Sequence, residues 1–196
     1  MNHWLPEGVP GRVSITSLGV EFVALSPALL DEDYAAVMRD IDMLRTWSAQ
    51  DWPTAAFTKQ ENLVDLERHD REQRDRVALT YSVLVEQQVV GCIYVRSFED
   101  ALRSRDVAPP VEHDIPFADA VARGWAHDIE ADHLLTATRL LLMLPPFEFS
   151  RIWWQTNSNC PDQLDACEHS GMIESMSFEG EGEGEGTTWI LRSVPK

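Results

Sequence analysis

Leu79 to Val95 reads LTYSVLVEQQVVGCIYV, two apolar limbs folded about Glu86, Gln87 and Gln88. Both limbs are rich in β-branched and aromatic residues and neither holds a proline, which predicts a β-hairpin. A hairpin this apolar belongs in the middle of a sheet. Helical patterns precede it and strands and helices alternate after it, so the fold class is α/β (α+β): a mixed central sheet flanked by helices.

Upstream, Val20 to Leu25 alternates as a strand, and Ser26-Pro27 supplies an N-cap and a first-turn proline. Leu30, Tyr34, Val37, Ile41 and Leu44 recur at spacings of four and three. That spacing predicts one helix with an apolar stripe, leaving Asp31, Asp33, Arg39 and Asp40 outside. Thr58 with Glu61 is a capping-box signature for a second helix. This helix is mostly charged, with Leu63 and Leu66 as a narrow apolar edge, and is expected on the surface. Residues 1–19 are expected to form a mobile N-terminal segment.

Downstream, Glu99 to Pro116 carries Pro109-Pro110 and His113-Asp114 without a clear period and reads as a long loop. Ala118 to Ala126 is a strand with small residues on one side and Val121, Arg123 and Trp125 on the other. Asp132 to Leu144 is a helix stopped by Pro145-Pro146. Arg151 to Thr156 is a strand whose adjacent Trp153 and Trp154 must face opposite sides of the sheet. Pro161 opens a short helix through Cys167, and Gly171 stands where a helix-ending glycine belongs. Met176 to Phe178 and Thr188 to Val194 are final strands joined by residues 179–186, EGEGEGEG, an acidic loop expected to be flexible. The order is β-α-α-β-β-β-α-β-α-β-β within one domain spanning residues 1–196.

Composition limits the partners. The 33 acidic residues outnumber the 16 basic ones, for a formal charge of −17. That balance disfavours nucleic acid and anionic membranes and tilts a substrate toward a cation. Cys92, Cys160 and Cys167 are an odd set at irregular spacing, suited to reduced thiols in a cytoplasmic protein. No apolar run reaches membrane-spanning length, and MNHWLPEGVPGR does not read as a signal peptide. Cys160, Cys167 and His169 lack a fourth ligand and fit no zinc spacing, so no metal site is expected.

Two stretches carry a family resemblance. VLVEQQVVGCIYV resembles the second and third strands of the GNAT superfamily of acyl-CoA-dependent N-acyltransferases, with a glycine after the turn. TNSNCPDQLDACEHSGM resembles that superfamily's late Asn, short-helix and Gly-aromatic motif, with Met172 in the aromatic position. The likeness covers nearly the whole chain from about Val20. It implies a fourth strand splayed from the fifth, with the pantetheine arm of acetyl-CoA in the gap. Backbone N–H groups at the start of the following helix would hold the pyrophosphate.

On this resemblance Ala118 to Ala126 is the splayed strand and His127 to His133 is the pyrophosphate turn. The family's glycine-rich pattern is replaced there by His127-Asp128-Ile129-Glu130-Ala131-Asp132-His133, a degenerate loop without glycine. Trp125, Ala126, Ala131, Asp132, His133 and Asn159 fall at cofactor-binding positions. Arg123 and Trp153 fall at the substrate pocket, although tryptophans on strands also pack in cores. His127 stands where a base for the incoming amine would act, or is a polar loop residue. Cys167 takes the place of the family's frequent tyrosine acid, or is a small buried packing residue.

The implied activity is transfer of an acetyl group from acetyl-CoA to a small cationic amine, by an enzyme compatible with a homodimer. The alternative is a non-catalytic module of the same fold that binds a ligand or a protein and has lost productive CoA binding.

Overall fold

The computed structural model describes residues 3–103, 119–147, 149, 151–180 and 186–194. Among these residues eight strands form one sheet. They are β1 (Arg12–Ile15), β2 (Val20–Ala24), β3 (Ala78–Val85), β4 (Gln88–Ser97), β5 (Asp119–Ala126), β6 (Arg151–Asn157), β7 (Glu174–Glu179) and β8 (Thr188–Ser193). The spatial order is β1-β2-β3-β4-β5-β6-β8-β7, and only β5 and β6 run parallel. Six α-helices among the described residues cover its two faces: α1 (Leu30–Arg39), α2 (Ile41–Ser48), α3 (Lys59–Arg74), α4 (Phe98–Arg103), α5 (Ala131–Met143) and α6 (Pro161–His169).

The hairpin β3–β4 lies inside the sheet, as its sequence requires. Glu86 and Gln87 both take positive φ, 49° and 67°, the signature of the tight turn whose twist matches the flanking strands. The register slips between Val83 and Leu84, so Val83 faces Gly91 and Leu84 faces Val89. Val90 is the extra residue of a bulge, and its carbonyl accepts from the His127 N–H at 2.7 Å. Beside it Gly91 meets β5 so closely that an added Cβ would lie 2.0 Å from the Trp125 carbonyl oxygen.

Strand alternation sends Ile93, Val95, Ala120 and Ala122 into one core with Leu134, Leu135 and Leu141 of α5. Cys92 and Trp125 point to the opposite face, beneath Val37, Leu44 and Leu66 of α1, α2 and α3. Trp153 and Trp154 divide as their adjacency demands. Trp154 joins the α5 core and Trp153 packs with Phe98 and Leu102 of α4, each at most 2% exposed. Burial of side chains this large stabilises by roughly 1.5–3 kcal/mol apiece.

Several expectations need correction. The stripe from Leu30 to Leu44 is two helices, because Asp40 leaves helical geometry (φ −145°, ψ 84°) and accepts from the Met43 N–H at 2.9 Å as the N-cap of α2. Asp33 is not outside but 3% exposed. The loop expected from Glu99 begins instead as α4, while residues 104–118, with His113-Asp114, lie outside the described residues. Within residues 3–19, β1 pairs with β2 and Leu5 is buried, its carbonyl accepting from Arg76 Nη2 at 2.8 Å. Residues 181–185 of the acidic loop also lie outside the described residues. The capping box is present: Thr58 Oγ1 accepts from the Glu61 N–H at 3.2 Å, and Glu61 accepts from the Thr58 N–H at 2.7 Å.

Candidate functional site

The β5–β6 pairing covers only Asp119–Ala122 against Arg151–Trp154. Beyond it β5 follows β4 as far as Gly91↔Ala126, while β6 follows β8 as far as Asn157↔Trp189. The strands therefore diverge and open a wedge. Gln163 of α6 spans it: its Nε2 donates to the Gly124 carbonyl at 3.0 Å, and its Oε1 accepts from Trp154 Nε1 at 3.4 Å. At the far end Asn157 donates to the Trp47 carbonyl at 2.9 Å, which ties β6 to α2.

The turn after β5 is held from three sides. His127 donates from Nε2 to the Ala36 carbonyl of α1 at 3.0 Å, and its ring meets Trp125 edge-on at 5.6 Å. Asp128 takes φ 61°, a left-handed conformation that Asp tolerates better than most residues where glycine would be easiest. Its carboxylate forms a forked ion pair with Arg39, with Nη2 to Oδ1 at 2.7 Å, and the hydrogen bond from Arg39 lowers its pKa. His133 donates from Nε2 to the Leu18 carbonyl at 2.8 Å. The Glu130 carbonyl receives the N–H groups of both His133 and Leu134 at 3.1 Å. Those of Ala131 and Asp132 have no protein acceptor among the described residues, so the first turn of α5 keeps donors for an anion.

On the α1–α3 side of the sheet lies a cavity of about 480 Å³. Its apolar wall includes Val37, Trp47, Trp52, Leu66 and the ring of Tyr94. Its polar wall includes Asp33, Asp65, Arg68, His69, Arg96 and Arg123. Asp33 Oδ2 accepts from Asn62 Nδ2 at 2.9 Å and Oδ1 from the Cys92 thiol at 3.4 Å. Burial raises the Asp33 pKa, a shift only partly offset by these hydrogen bonds. Burial also pushes the Tyr94 hydroxyl well up, and this oxygen accepts from Trp125 Nε1 at 3.4 Å.

Arg123 lies with its guanidinium 3.8 Å from the Trp47 ring centre and 5.3 Å from that of Trp189, a cation–π placement. His69 accepts at Nε2 from Arg68 at 3.1 Å, because a guanidinium only donates, which leaves the Nδ1 proton shared between Thr80 Oγ1 at 3.0 Å and Glu72 Oε2 at 3.4 Å. Glu72 joins Arg96 at 3.1 Å. With three arginines and two aspartates in its wall, the cavity does not mirror the chain's overall acidity.

Of the residues singled out from sequence, Arg123 lines the cavity and Trp125 supports its floor through Tyr94. Ala126, His127, Ala131, Asp132 and His133 cluster along the turn between β5 and α5. Asn159 donates from Nδ2 to Thr187 Oγ1 at 3.3 Å. Trp153 is buried away from the cavity, with Nε1 donating to Asp119 at 3.2 Å. Cys167 lies in the α5 core with Met172 and Trp154, where burial pushes its thiol up to about 12. Sequence reading missed Asp33, Asn62, His69 and Tyr94. Asn62, Leu66 and His69 recur at spacings of four and three within a charged helix, which was a usable signal of a second, polar inner face.

No family model and no curated protein sequence matches the chain. Solved structures do. The ribosomal-protein-S5-alanine acetyltransferase from Vibrio fischeri superposes with a TM-score of 0.64 at 12% identity, over 89% of this chain and 92% of that one. The ribosomal L7/L12 alpha-N-protein acetyltransferase gives 0.66 at 12% identity, over 98% and 99%. The microcin C7 self-immunity acetyltransferase, solved with acetyl-CoA and AMP, gives 0.65 at 10% identity, over 90% and 93%. At these identities the likeness is one of architecture: the chain has the GNAT fold of the acetyltransferases.

Proposed function

We propose that the protein is an acyl-CoA-dependent N-acyltransferase that moves an acetyl group from acetyl-CoA to a small amine. The observation that carries this reading is the wedge beyond Ala122 and Trp154, which opens beside the cavity across β5. The chain's residues fit the co-substrate at the α5 end, where the Ala131 and Asp132 N–H groups are available to a pyrophosphate. Asp128 is drawn off by Arg39, which relieves part of the charge conflict in the glycine-free turn. Acetyl-CoA, when bound, supplies the activated thioester. Gly124 and its neighbours on the diverging edge of β5 would then bond the pantetheine amides once Gln163 releases the Gly124 carbonyl.

Gln163 also favours a second reading. A side chain already bonded across the wedge, together with a turn lacking glycine, suits a non-catalytic module of this fold. Calorimetric titration with acetyl-CoA separates the two. Saturable binding is expected, and no binding at millimolar ligand to folded protein would remove the enzyme reading.

A further inference from the structure

The cavity wall contains a buried carboxylate with only neutral donors against it. Asp33 is 3% exposed, and its oxygens receive the Asn62 amide at 2.9 Å and the Cys92 thiol at 3.4 Å. Among the described residues no Lys, Arg or His lies within ion-pair distance of it. A buried carboxylate lacking a counterion is unfavourable, and an ionised carboxylate has about four acceptor positions, of which these bonds use two. Trp47, Trp52, Leu66 and Val37 line the same cavity as an apolar and aromatic wall.

We propose that Asp33 docks the ammonium of the acceptor, so that the cavity selects a primary amine carried on a single apolar or aromatic body. The substrate supplies the missing counterion, and its hydrocarbon part packs against the tryptophans. Arg68, Arg96 and Arg123 in the same wall oppose polycations, which narrows the cationic preference suggested by the chain's overall acidity to one ammonium group. The groups facing Asp33 are His69 and Asp65 from α3, of which Asp65 opposes its charge, with Cys92 and Tyr94 from β4.

The chemical consequence rests on the N-acyltransferase reading. The Asp33 carboxylate takes one proton from the docked ammonium. The neutral amine's lone pair then attacks the thioester carbonyl carbon, the C–N bond forms, and the C–S bond breaks with its electron pair going to sulfur. The second proton lost from nitrogen balances the thiolate.

The binding claim is tested without CoA, by following tryptophan fluorescence during titration with phenethylamine and its neutral counterpart 2-phenylethanol. The wild type should bind the amine about tenfold or more tightly than the alcohol, and Asp33→Asn should bind both alike. In the wild type the preference for the amine should fade as pH drops through the raised Asp33 pKa, and His69→Gln should keep that behaviour. The proposal is overturned by equal affinity for both probes in the wild type, by no saturable phenethylamine binding at millimolar concentration, or by a preference that survives Asp33→Asn. A pH response abolished by His69→Gln would assign the titration elsewhere and overturn it as well. Failure of acetyl-CoA to bind in calorimetry removes the acyltransferase reading and leaves this ammonium site standing.

Discussion

The side-chain amide of Gln163 donates to the carbonyl oxygen of Gly124 at 3.0 Å, across the wedge where β5 and β6 have parted. A side chain thus stands in for the ladder bond that a neighbouring strand would otherwise supply, and any ligand entering the wedge competes with it.

Gln163→Ala should therefore have two opposed effects. Losing the bonds to Gly124 and Trp154 should cost about 1–3 kcal/mol of stability, because both partners are buried. Affinity for acetyl-CoA should rise by roughly threefold to tenfold, since a competitor worth about 1 kcal/mol is gone. Urea denaturation and calorimetry read the two separately. Weaker acetyl-CoA binding in a folded variant would make Gln163 a ligand contact and not a competitor.

Gly91→Ala should be severe. Its Cβ would lie 2.0 Å from the Trp125 carbonyl oxygen and 2.5 Å from Ala126 Cα, both backbone atoms of β5. Separating β4 from β5 to make room should cost about 3 kcal/mol or more. At Gly124 the nearest obstacle is the Ile93 Cγ2 methyl at 2.8 Å, so Gly124→Ala should be the milder change. Denaturation midpoints of the two variants should fall in that order.

Asp33→Asn should stabilise the free protein at neutral pH. Burial raises the folded-state pKa, so the wild type loses stability as pH rises from 3.8 through that raised value and the carboxylate ionises. The variant carries no such charge. The gap, on the order of 1 kcal/mol or more, should be absent below pH 3.8 and should open on the way to neutrality. Urea midpoints measured across this range check the sign.

Glu72→Gln should behave oppositely. Half-burial alone would raise the Glu72 pKa, but the hydrogen bond from His69 and the charges of Arg96 and Arg68 outweigh it and bring the value down to about 2. The carboxylate therefore contributes stability that is present above 4.5 and lost as pH falls toward about 2. The wild type should exceed the variant in stability above pH 4.5, and the difference should close on acidification.

The parts of the fold that were legible are those written in local period and punctuation. Alternation placed the hairpin and sent Trp153 and Trp154 to opposite faces, and Thr58 with Glu61 marked the start of α3. The single stripe from Leu30 to Leu44 hid a break, because Ile41 and Leu44 resume the apolar spacing after Asp40 has ended the first helix. Helical period records which side is apolar and not whether the backbone stays continuous.

The candidate site was legible only where it lies on one element. Arg123 stood out as a charge within a strand, and the turn from His127 to His133 followed from the order of elements. Asp33 did not stand out, because a carboxylate among acidic neighbours reads as solvated until Asn62, 29 positions away, and Cys92, 59 away, are brought against it.

With β1, α4 and the break between α1 and α2 excepted, the amino-acid sequence by itself determined the strands and helices and the inward faces of the sheet, since these depend on side chains a few positions apart. Tertiary structure alone decided the wedge at Gly124, its occupation by Gln163, and the buried, counterion-free state of Asp33. Solvation and charge at those atoms are set by neighbours through space, and the chain brings those neighbours together only when α1, α3 and α6 pack on the sheet.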